Sequence, residues 1–309
     1  MDSFRSYMLR EAYRNLEKLG DRLAKPDKRI DWEKFRPIIK GMYRNDTERG
    51  GRPNLDEVTM VKLLVIQQWY TLSDPELERQ VADRLSFQRF LGFPEQPPDY
   101  STVWKFRERL EETGKIREIW GELQRQLDEK GLKVKKGVIQ DAAIMDADPG
   151  PSNKPRGGHA LTRRSRDGDW VKRGKVSRFG YKLHVKTDVE HGLVRDLEVT
   201  SASVHDSRVD LSEQGEVVYR DKGYFGVEPR GWDATMGRGV RGRPLGDVDR
   251  GRNRRIGSKR RCIERTFAVI KRVFGVERVV VSTVPRFRVK MFFSCLCFDL
   301  LQLGTLGVA

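Results

Sequence analysis

Apolar residues recur at helical spacing through the first 130 residues of the chain. The stretch NLDEVTMVKLLVIQQWYTL has this pattern, with Asn54 as the candidate cap, and SDPELERQVADRLSFQRFLGF predicts a second helix that starts at Ser73. In PPDYSTVWKFRERLEETGK an apolar stripe runs from Val103 to Leu110. The pattern therefore predicts an all-helical N-terminal domain over residues 1–130.

The third of these helices combines a candidate cap, Ser101 or Thr102, with a basic surface. Lys105, Arg107 and Arg109 lie outside its apolar stripe. Short helices with tight turns and a basic outer face suit docking into the major groove of DNA, so these three residues are candidate DNA contacts. The alternative is that the helices only pack against one another, as most helix pairs do.

In the second half of the chain the pattern changes to alternation. The segments KKGVIQDAAI, SRFGYKLHVKTD, LVRDLEVTSA and EVVYRDKGY alternate apolar with polar residues and predict four strands. An amphipathic helix follows in SKRRCIERTFAVIKRVFG, with Ile263, Phe267, Ile270 and Phe274 on one stripe. A strand in VERVVVS and an apolar C-terminal helix complete the prediction of an α/β domain over residues 131–309.

Two segments interrupt this pattern, at about residues 149–178 and 225–257. Both are rich in glycine and basic residues, and the second contains Arg254 and Arg255. Such segments can be solvated flexible loops. We favour contact with phosphates, because arginines on flexible backbone can order against a duplex and both loops flank the acidic residues described below.

Composition narrows the class of protein. The chain has 61 Lys and Arg against 45 Asp and Glu and a formal charge of +16, which favours a polyanionic partner such as nucleic acid. Its three cysteines have neither CxxC spacing nor nearby histidines, so neither a disulfide framework nor a zinc finger is indicated. The charged N-terminus lacks the apolar run typical of a signal peptide. Because Asp299 and Gln302 interrupt the apolar C-terminal segment, we expect a buried helix of a soluble protein and no membrane span.

Three acidic residues stand where composition does not explain them. Asp141 lies within a predicted strand, Asp221 ends another, and Glu264 lies beside the apolar stripe of its helix, at the edge of the core and facing the sheet. Two aspartates on strands and a glutamate on a packed helix suit the binding of two hard divalent cations at a phosphate. Singly, such residues are more often turn formers or solvated helix residues. Asp146 and Asp148 are nearby alternatives to Asp141.

The run from FGYKLHVKTD through GLVRDLEVTSASVHDS and VVYRDKGYFG to RCIERTFAVIKRVFG resembles the DDE transposases of bacterial and archaeal insertion sequences, in the group named after insertion sequence five. The helical segments from GRPNLDEV to STVWKFRERL are similar to the domain that precedes their catalytic core. The resemblance covers roughly Gly51 to Gly275, and VHDS, DKGY and R-x3-E-x6-K in this order are highly specific together. It implies an α/β fold with a ribonuclease H-like catalytic core, a mixed sheet with flanking helices, preceded by the all-helical domain.

The resemblance also implies roles for individual residues. The catalytic residues and metal ligands carried over are Asp141, Asp221 and Glu264. They would hold two Mg²⁺ ions, with Mn²⁺ as the expected substitute. Arg260 and Lys271 match the arginine and lysine of R-x3-E-x6-K and are implied to touch phosphates. Ala143 departs from the pattern, since the family usually has Thr or Ser after the first Asp-Ala.

A further acidic residue stands in the VHDS motif, where His205 and Asp206 invite comparison with a general base. We prefer a structural interpretation, in which the segment turns from a strand into a helix with Asp206 or Ser207 as the cap.

The implied function is that of a DNA transposase. Such a protein binds the terminal inverted repeats of its element, cleaves phosphodiester bonds at the ends and joins the 3′-hydroxyl to target DNA. It would act as a dimer or larger assembly on double-stranded DNA, in the nucleoid-associated cytoplasm of a prokaryote. Two alternatives stay open: a catalytically silent or domesticated DNA-binding protein, and a ribonuclease H-fold nuclease without strand transfer.

Overall fold

The structure, a computed structural model, describes residues 4–43, 54–94, 98–150, 165–242 and 244–307. The chain divides into two compact units. Residues 1–126 with 303–309 form the first, and residues 127–302 form the second.

The described part of the first unit is helical, as predicted. Its helices are α1 (Phe4–Leu19), α2 (Ala24–Arg29), α3 (Arg36–Lys40), α4 (Glu57–Trp69), α5 (Asp74–Asp83), α6 (Leu85–Phe90), α7 (Tyr100–Glu112) and α8 (Lys115–Glu129), with a 3-10 turn at Trp32–Phe35. In α4, ten of the 13 residues are buried, so this helix contributes the centre of the unit's core.

Aspartates, rather than the residues predicted from sequence, cap two of these helices. Asp56 caps α4 by accepting from the Thr59 backbone N–H at 2.7 Å, so the assignment of Asn54 was wrong. Asp99 caps α7 by accepting from Thr102 N–H at 2.8 Å, whereas Ser101 or Thr102 had been predicted. In each case the carboxylate also accepts from the Thr hydroxyl, which favours it over a neighbouring polar residue. The Ser73 cap of α5 is confirmed.

The second unit is built on one mixed sheet. Its described strands are β1 (Val138–Ala147), β2 (Asp169–Arg173), β3 (Val176–Asp188), β4 (Val194–Ser201), β5 (Val217–Arg220), β6 (Trp232–Thr235) and β7 (Arg278–Val279). The order is β2-β3-β1-β5-β6, with β4 beside β3 and β7 beside β1. β3 runs antiparallel to β1, β2 and β4, whereas β5 and β7 run parallel to β1 and β6 runs parallel to β5.

Two long helices follow, α9 (Asp247–Arg272) and α10 (Val284–Leu306), and α10 belongs to this unit as far as Gln302. α9 packs on β1 and β5, and its buried side chains include the predicted stripe residues Ile263, Phe267 and Ile270. Antiparallel strands followed by a parallel strand and a helix packed on the sheet form a ribonuclease H-like core. The predicted fold class is therefore confirmed.

α10 is long and apolar enough to cross a membrane by length and composition alone. In its most apolar window, however, 67% of the residues are buried inside the protein. Phe287 stacks on Tyr181 of β3 with ring centroids 4.7 Å apart. These contacts are those of a core helix, as the sequence indicated.

Parts of both predicted loops are ordered elements. Residues 247–257 belong to α9, and the predicted strand VERVVVS is reduced to the two residues of β7. β2 and the start of β3 form a hairpin within the segment predicted as the first loop. Residues 151–164 of that segment lie outside the described residues.

Candidate active site

The sheet register brings two of the predicted site residues together. β1 and β5 are parallel neighbours, with Val138 opposite Val218 and Ile139 opposite Tyr219. Asp141 lies two residues beyond Ile139, and Asp221 two residues beyond Tyr219, so the two aspartates stand at the same level of adjacent strands. Strands paired in this way are about 5 Å apart.

The backbone after β5 fixes the orientation of Asp221. This residue caps a 3-10 turn at Lys222–Tyr224, and its Oδ1 accepts from the Gly223 backbone N–H at 2.7 Å. A Cβ at Gly223 would lie 2.8 Å from the same oxygen. A side chain at position 223 would therefore push the Asp221 carboxylate out of this position, and glycine leaves room for the hydrogen bond that holds the carboxylate at the strand end.

Asp141 is tied to helix α9 through Arg260. The guanidinium Nη2 lies 2.7 Å from Asp141 Oδ2, and Oδ1 accepts from Ala142 N–H at 2.8 Å. Burial raises the pKa of the Asp141 carboxyl, and the negative charges of Asp221 and Asp206 raise it further, while Arg260 lowers it. The site thus concentrates negative charge that one guanidinium offsets only in part.

Glu264 does not join the two aspartates. It follows Arg260 by one turn of α9, but its side chain is exposed and makes no hydrogen bond or ion pair with the described residues. Ile263 and Phe267 are buried on the contact face of α9, and Glu264 lies beside them as an exposed residue, so its place in the site stays a prediction. Among the residues that the structure describes, no three His, Cys, Asp or Glu side chains are grouped to hold a metal ion.

A second cationic group lies around Lys271. Burial lowers the pKa of the Lys271 ammonium, as do the nearby Arg178 and Arg173, while Glu277 and Asp146 raise it. Arg178 forms a two-pronged ion pair with Asp146, both N–O distances being 2.8 Å. Asp146 is therefore engaged elsewhere, which weakens it as an alternative to Asp141.

Asp206 is a third carboxylate near the site that sequence reasoning treated only as a turn residue. It begins a 3-10 turn after β4, capped by His205 rather than by Asp206 or Ser207. Its Oδ1 lies 2.7 Å from the ammonium of Lys182, which is only 5% exposed. The one available signal was Lys182 in KLHVK, because a lysine on the buried face of a strand needs an acidic partner.

Tyr224 lies near Asp141, Asp206 and Asp221, which we call the carboxylate cluster. Its ring is buried, and its hydroxyl makes no hydrogen bond with the residues that the structure describes, although the Gln140 side chain is nearby. Burial raises the pKa of Tyr224 strongly, and the charges of Asp141, Asp206 and Asp221 add to this effect. The Tyr224 hydroxyl therefore stays protonated beside the carboxylates.

A cavity of about 670 Å³ opens beside Asp221 within the second unit. Its lining includes Asp221, Gly223, Arg238, Asn253 and Arg260. The cavity joins one of the predicted catalytic residues to two arginines, which suits a phosphate-bearing ligand.

The residues predicted to contact DNA differ in their exposure and in their contacts within the protein. Arg254 and Arg255 are exposed on α9, and Lys105 is exposed on α7. Arg107 instead donates to both carboxylate oxygens of Asp74 at 2.6 Å, which commits it to packing α7 against α5. The guanidinium of Arg109 lies 5.0 Å from the ring centre of Tyr43.

Comparison with protein families gives two matches that together span most of the chain. A family described as "Transposase domain (DUF772)" matches residues 11–109, and one described as "Transposase DDE domain" matches residues 134–300. No solved structure matches the chain. The narrower assignment to the insertion-sequence-five group stays a prediction. The second match covers more than half of the chain and contains the whole carboxylate cluster, and the protein accordingly belongs to the DDE transposases.

Proposed function

We propose that this transposase cleaves DNA at the ends of its element and joins the freed 3′-hydroxyl to target DNA, with Asp141, Asp221 and Glu264 as its catalytic residues. The observation that carries the proposal is the pair Asp141 and Asp221 at one level of adjacent strands, inside the region that matches the DDE domain. Each strand supplies one of the two aspartates, so the proposed cleavage and joining need both strands.

The two aspartates fit the divalent ions that such enzymes generally use. Their carboxylate oxygens are the hard donors that Mg²⁺ and Mn²⁺ prefer, and a buried carboxylate with a raised pKa gains from a further cation. Asp141 and Asp221 would hold the two ions. Glu264 is the third carboxylate of the proposal, although its exposed side chain makes no contact with the two aspartates in the structure. When bound, such ions activate the attacking oxygen and stabilise the leaving one.

The basic residues around the carboxylates have distinct tasks. Arg260 neutralises part of the charge on Asp141 and lies at the cavity, so it can exchange that carboxylate for a DNA phosphate. Lys222 also lines the cavity, next to Asp221. Lys271 lies seven residues beyond Glu264, nearly two turns along the same helix face, where its ammonium can contact a phosphate as a point charge.

The helical region over residues 1–130 is the proposed reader of the inverted repeats, and residues 131–309 the catalytic domain. Of the three candidate contacts on α7, Lys105 is the one that is exposed, and its side chain makes no ion pair with the described residues. Two ends must be brought together for strand transfer, so we expect at least two protomers on DNA. The protein would work in the cytoplasm of a prokaryotic cell.

A reaction with purified protein tests this proposal. A labelled duplex copied from the DNA that flanks the gene is incubated with a target plasmid and Mg²⁺, Mn²⁺ or EDTA. Wild type is compared with Glu264→Gln and with Asp249→Asn, an exposed acidic position on the same helix. We expect metal-dependent cleavage and joined product in wild type and Asp249→Asn, and neither in Glu264→Gln.

The same reaction separates the two alternatives. Cleavage without joined product would indicate a nuclease. Tight binding without cleavage in either metal would indicate a silent DNA-binding protein.

A further inference from the structure

The hairpin formed by β2 and the start of β3, residues 169–179, projects beyond the body of the sheet. β1 pairs with β3 only from Gly180 onward, where Gly180 lies opposite Asp146. The residues of β3 before Gly180 pair with β2 alone. We call residues 169–179 the ribbon.

The ribbon is exposed on both faces and basic. All residues from Lys172 to Ser177 are exposed, and the ribbon turns at Gly174, whose φ is 61°. The side chains of Lys172 and Lys175 make no hydrogen bond or ion pair with any residue in the described ranges. A two-stranded hairpin without a covered face gains little stability from its own packing. The contribution of the ribbon to folding therefore does not explain its exposed basic residues.

The root of the ribbon, by contrast, is firmly held. Arg178 forms the fork with Asp146, and the Trp170 and Phe179 rings pack edge to face with centroids 5.4 Å apart. Just before β2, Asp167 accepts from the Val284 N–H at 2.8 Å at the start of α10. A fixed root with an exposed basic tip holds charges at a defined position, which lowers the entropy lost when they bind a partner.

The ribbon also leads to the candidate active site. Arg173 lies 3.4 Å from Asp206, the carboxylate next to the catalytic pair. Burial lowers the pKa of Lys271, and the charges of Arg178 and Arg173 in the ribbon lower it further. A chain of positive charge therefore runs from the carboxylate cluster out along the ribbon.

We propose that the ribbon lies along duplex DNA beside the phosphate that is attacked, with Lys172, Arg173 and Lys175 on the DNA backbone. A two-stranded β-ribbon fits the width of the major groove, and exposed lysines without acidic partners are complementary to phosphates. The inference rests on the proposed function for the identity of the nucleic acid. The ribbon adds a third DNA-contact region to the helical domain and α9, and like α9 it lies within the catalytic unit.

Salt-dependent binding tests the ribbon directly. The double variant Lys172→Gln/Lys175→Gln is compared with wild type and with Lys133→Gln/Lys135→Gln, which removes the same charge from exposed positions before the opposite end of β1. Fluorescence anisotropy measures binding of the full-length proteins to the labelled flanking duplex and to a scrambled duplex of equal length. In a plot of log affinity against log salt, we expect the ribbon variant to have a slope that is less steep by about 2 on both duplexes. We expect its affinity to be roughly tenfold weaker. The control should change the slope by less than about 0.5.

The outcomes separate the ribbon from the active site. An unchanged slope in the ribbon variant, with a native circular dichroism spectrum, would overturn the inference and leave an acidic protein as the partner to consider. If the salt dependence of binding became less steep by the same amount in both double variants, the inference would also be overturned, because only net charge would then matter. Cleavage is scored separately at saturating DNA. If wild type fails to cleave in either metal but the ribbon variant alone loses slope, the proposed catalysis fails and the ribbon contact stands.

Discussion

The buried ion pair between Arg195 and Asp188 gives a prediction whose size follows from the contacts. Arg195 Nε lies 3.0 Å from Asp188 Oδ2, and the two side chains are 6% and 1% exposed. The same guanidinium reaches Asp128 and the Leu132 carbonyl, which both lie in the second unit. Arg195→Met would leave a buried carboxylate uncompensated, which costs about 3–5 kcal/mol. Because His191 N–H still donates to Asp188, we expect the lower end, about 3 kcal/mol.

Urea unfolding measures this cost, with hydrogen exchange of β4 peptides to assign the transition to the second unit. Arg288→Met is the matched control, since Arg288 pairs with Glu198 at 3.4 Å where the side chains are 28% and 25% exposed. There we expect about 1 kcal/mol or less. Adding Asp188→Asn to Arg195→Met should cost less than the sum of the single changes. Equal costs for the Arg195 and Arg288 variants, within about 0.5 kcal/mol, would show that burial does not set the cost of breaking these ion pairs.

Three further predictions concern packing and pH. Gly180→Ala should destabilise the protein by about 3 kcal/mol or more in urea unfolding, because the new Cβ would lie 2.0 Å from the Met145 carbonyl oxygen; a loss under about 1 kcal/mol would contradict the close approach. Burial lowers the pKa of His184 from 6.5 to about 4, so protonation opposes folding. The stability that neutral His184 preserves is fully present above pH 6.5 and is lost as the pH falls to about 4, by about 3 kcal/mol. The free energy of unfolding of wild type minus that of His184→Gln should therefore fall over this pH range, and a difference that does not change with pH would count against the prediction. Arg107→Gln should cost the helical unit about 1–3 kcal/mol by breaking the fork with Asp74, and a neutral result would return Arg107 to the candidate DNA contacts.

The sequence predicted the strands well but missed what covers one face of them. Lys182, His184 and Lys186 alternate with apolar residues in β3, which is typical of a strand with one solvated face. All three are buried. Lys182 pairs with Asp206, and Lys186 pairs with Glu213 at 2.7 Å. These partners are over 20 residues away in sequence, so local patterning carries no trace of the pairing.

Glycine content misplaced the start of α9. Gly246, Gly251 and Gly257 among many arginines indicated a loop, yet the helix begins at Asp247 and continues through the latter two glycines. Single glycines cost a helix only about 1 kcal/mol each, and the packing of the buried Ile256 helps to offset this.

In the candidate site, too, local sequence spacing predicted some features, whereas others depend on how distant segments pack. The R-x3-E spacing correctly placed Arg260 and Glu264 one turn apart on a helix. Which of them contacts Asp141 depends on how α9 is rotated on the sheet, and that is set by the apolar stripe across many residues. The structure gives the contact to Arg260 and leaves Glu264 exposed.

The most direct test of the account is joining of a labelled element end to a target plasmid in Mg²⁺, measured for wild type, Asp141→Asn and Asp221→Asn at equal DNA occupancy. We expect joined product from wild type and a loss of at least about a thousandfold in each variant, with DNA binding retained. Joining at the wild-type rate by either variant would contradict the central claim that these two aspartates carry the reaction.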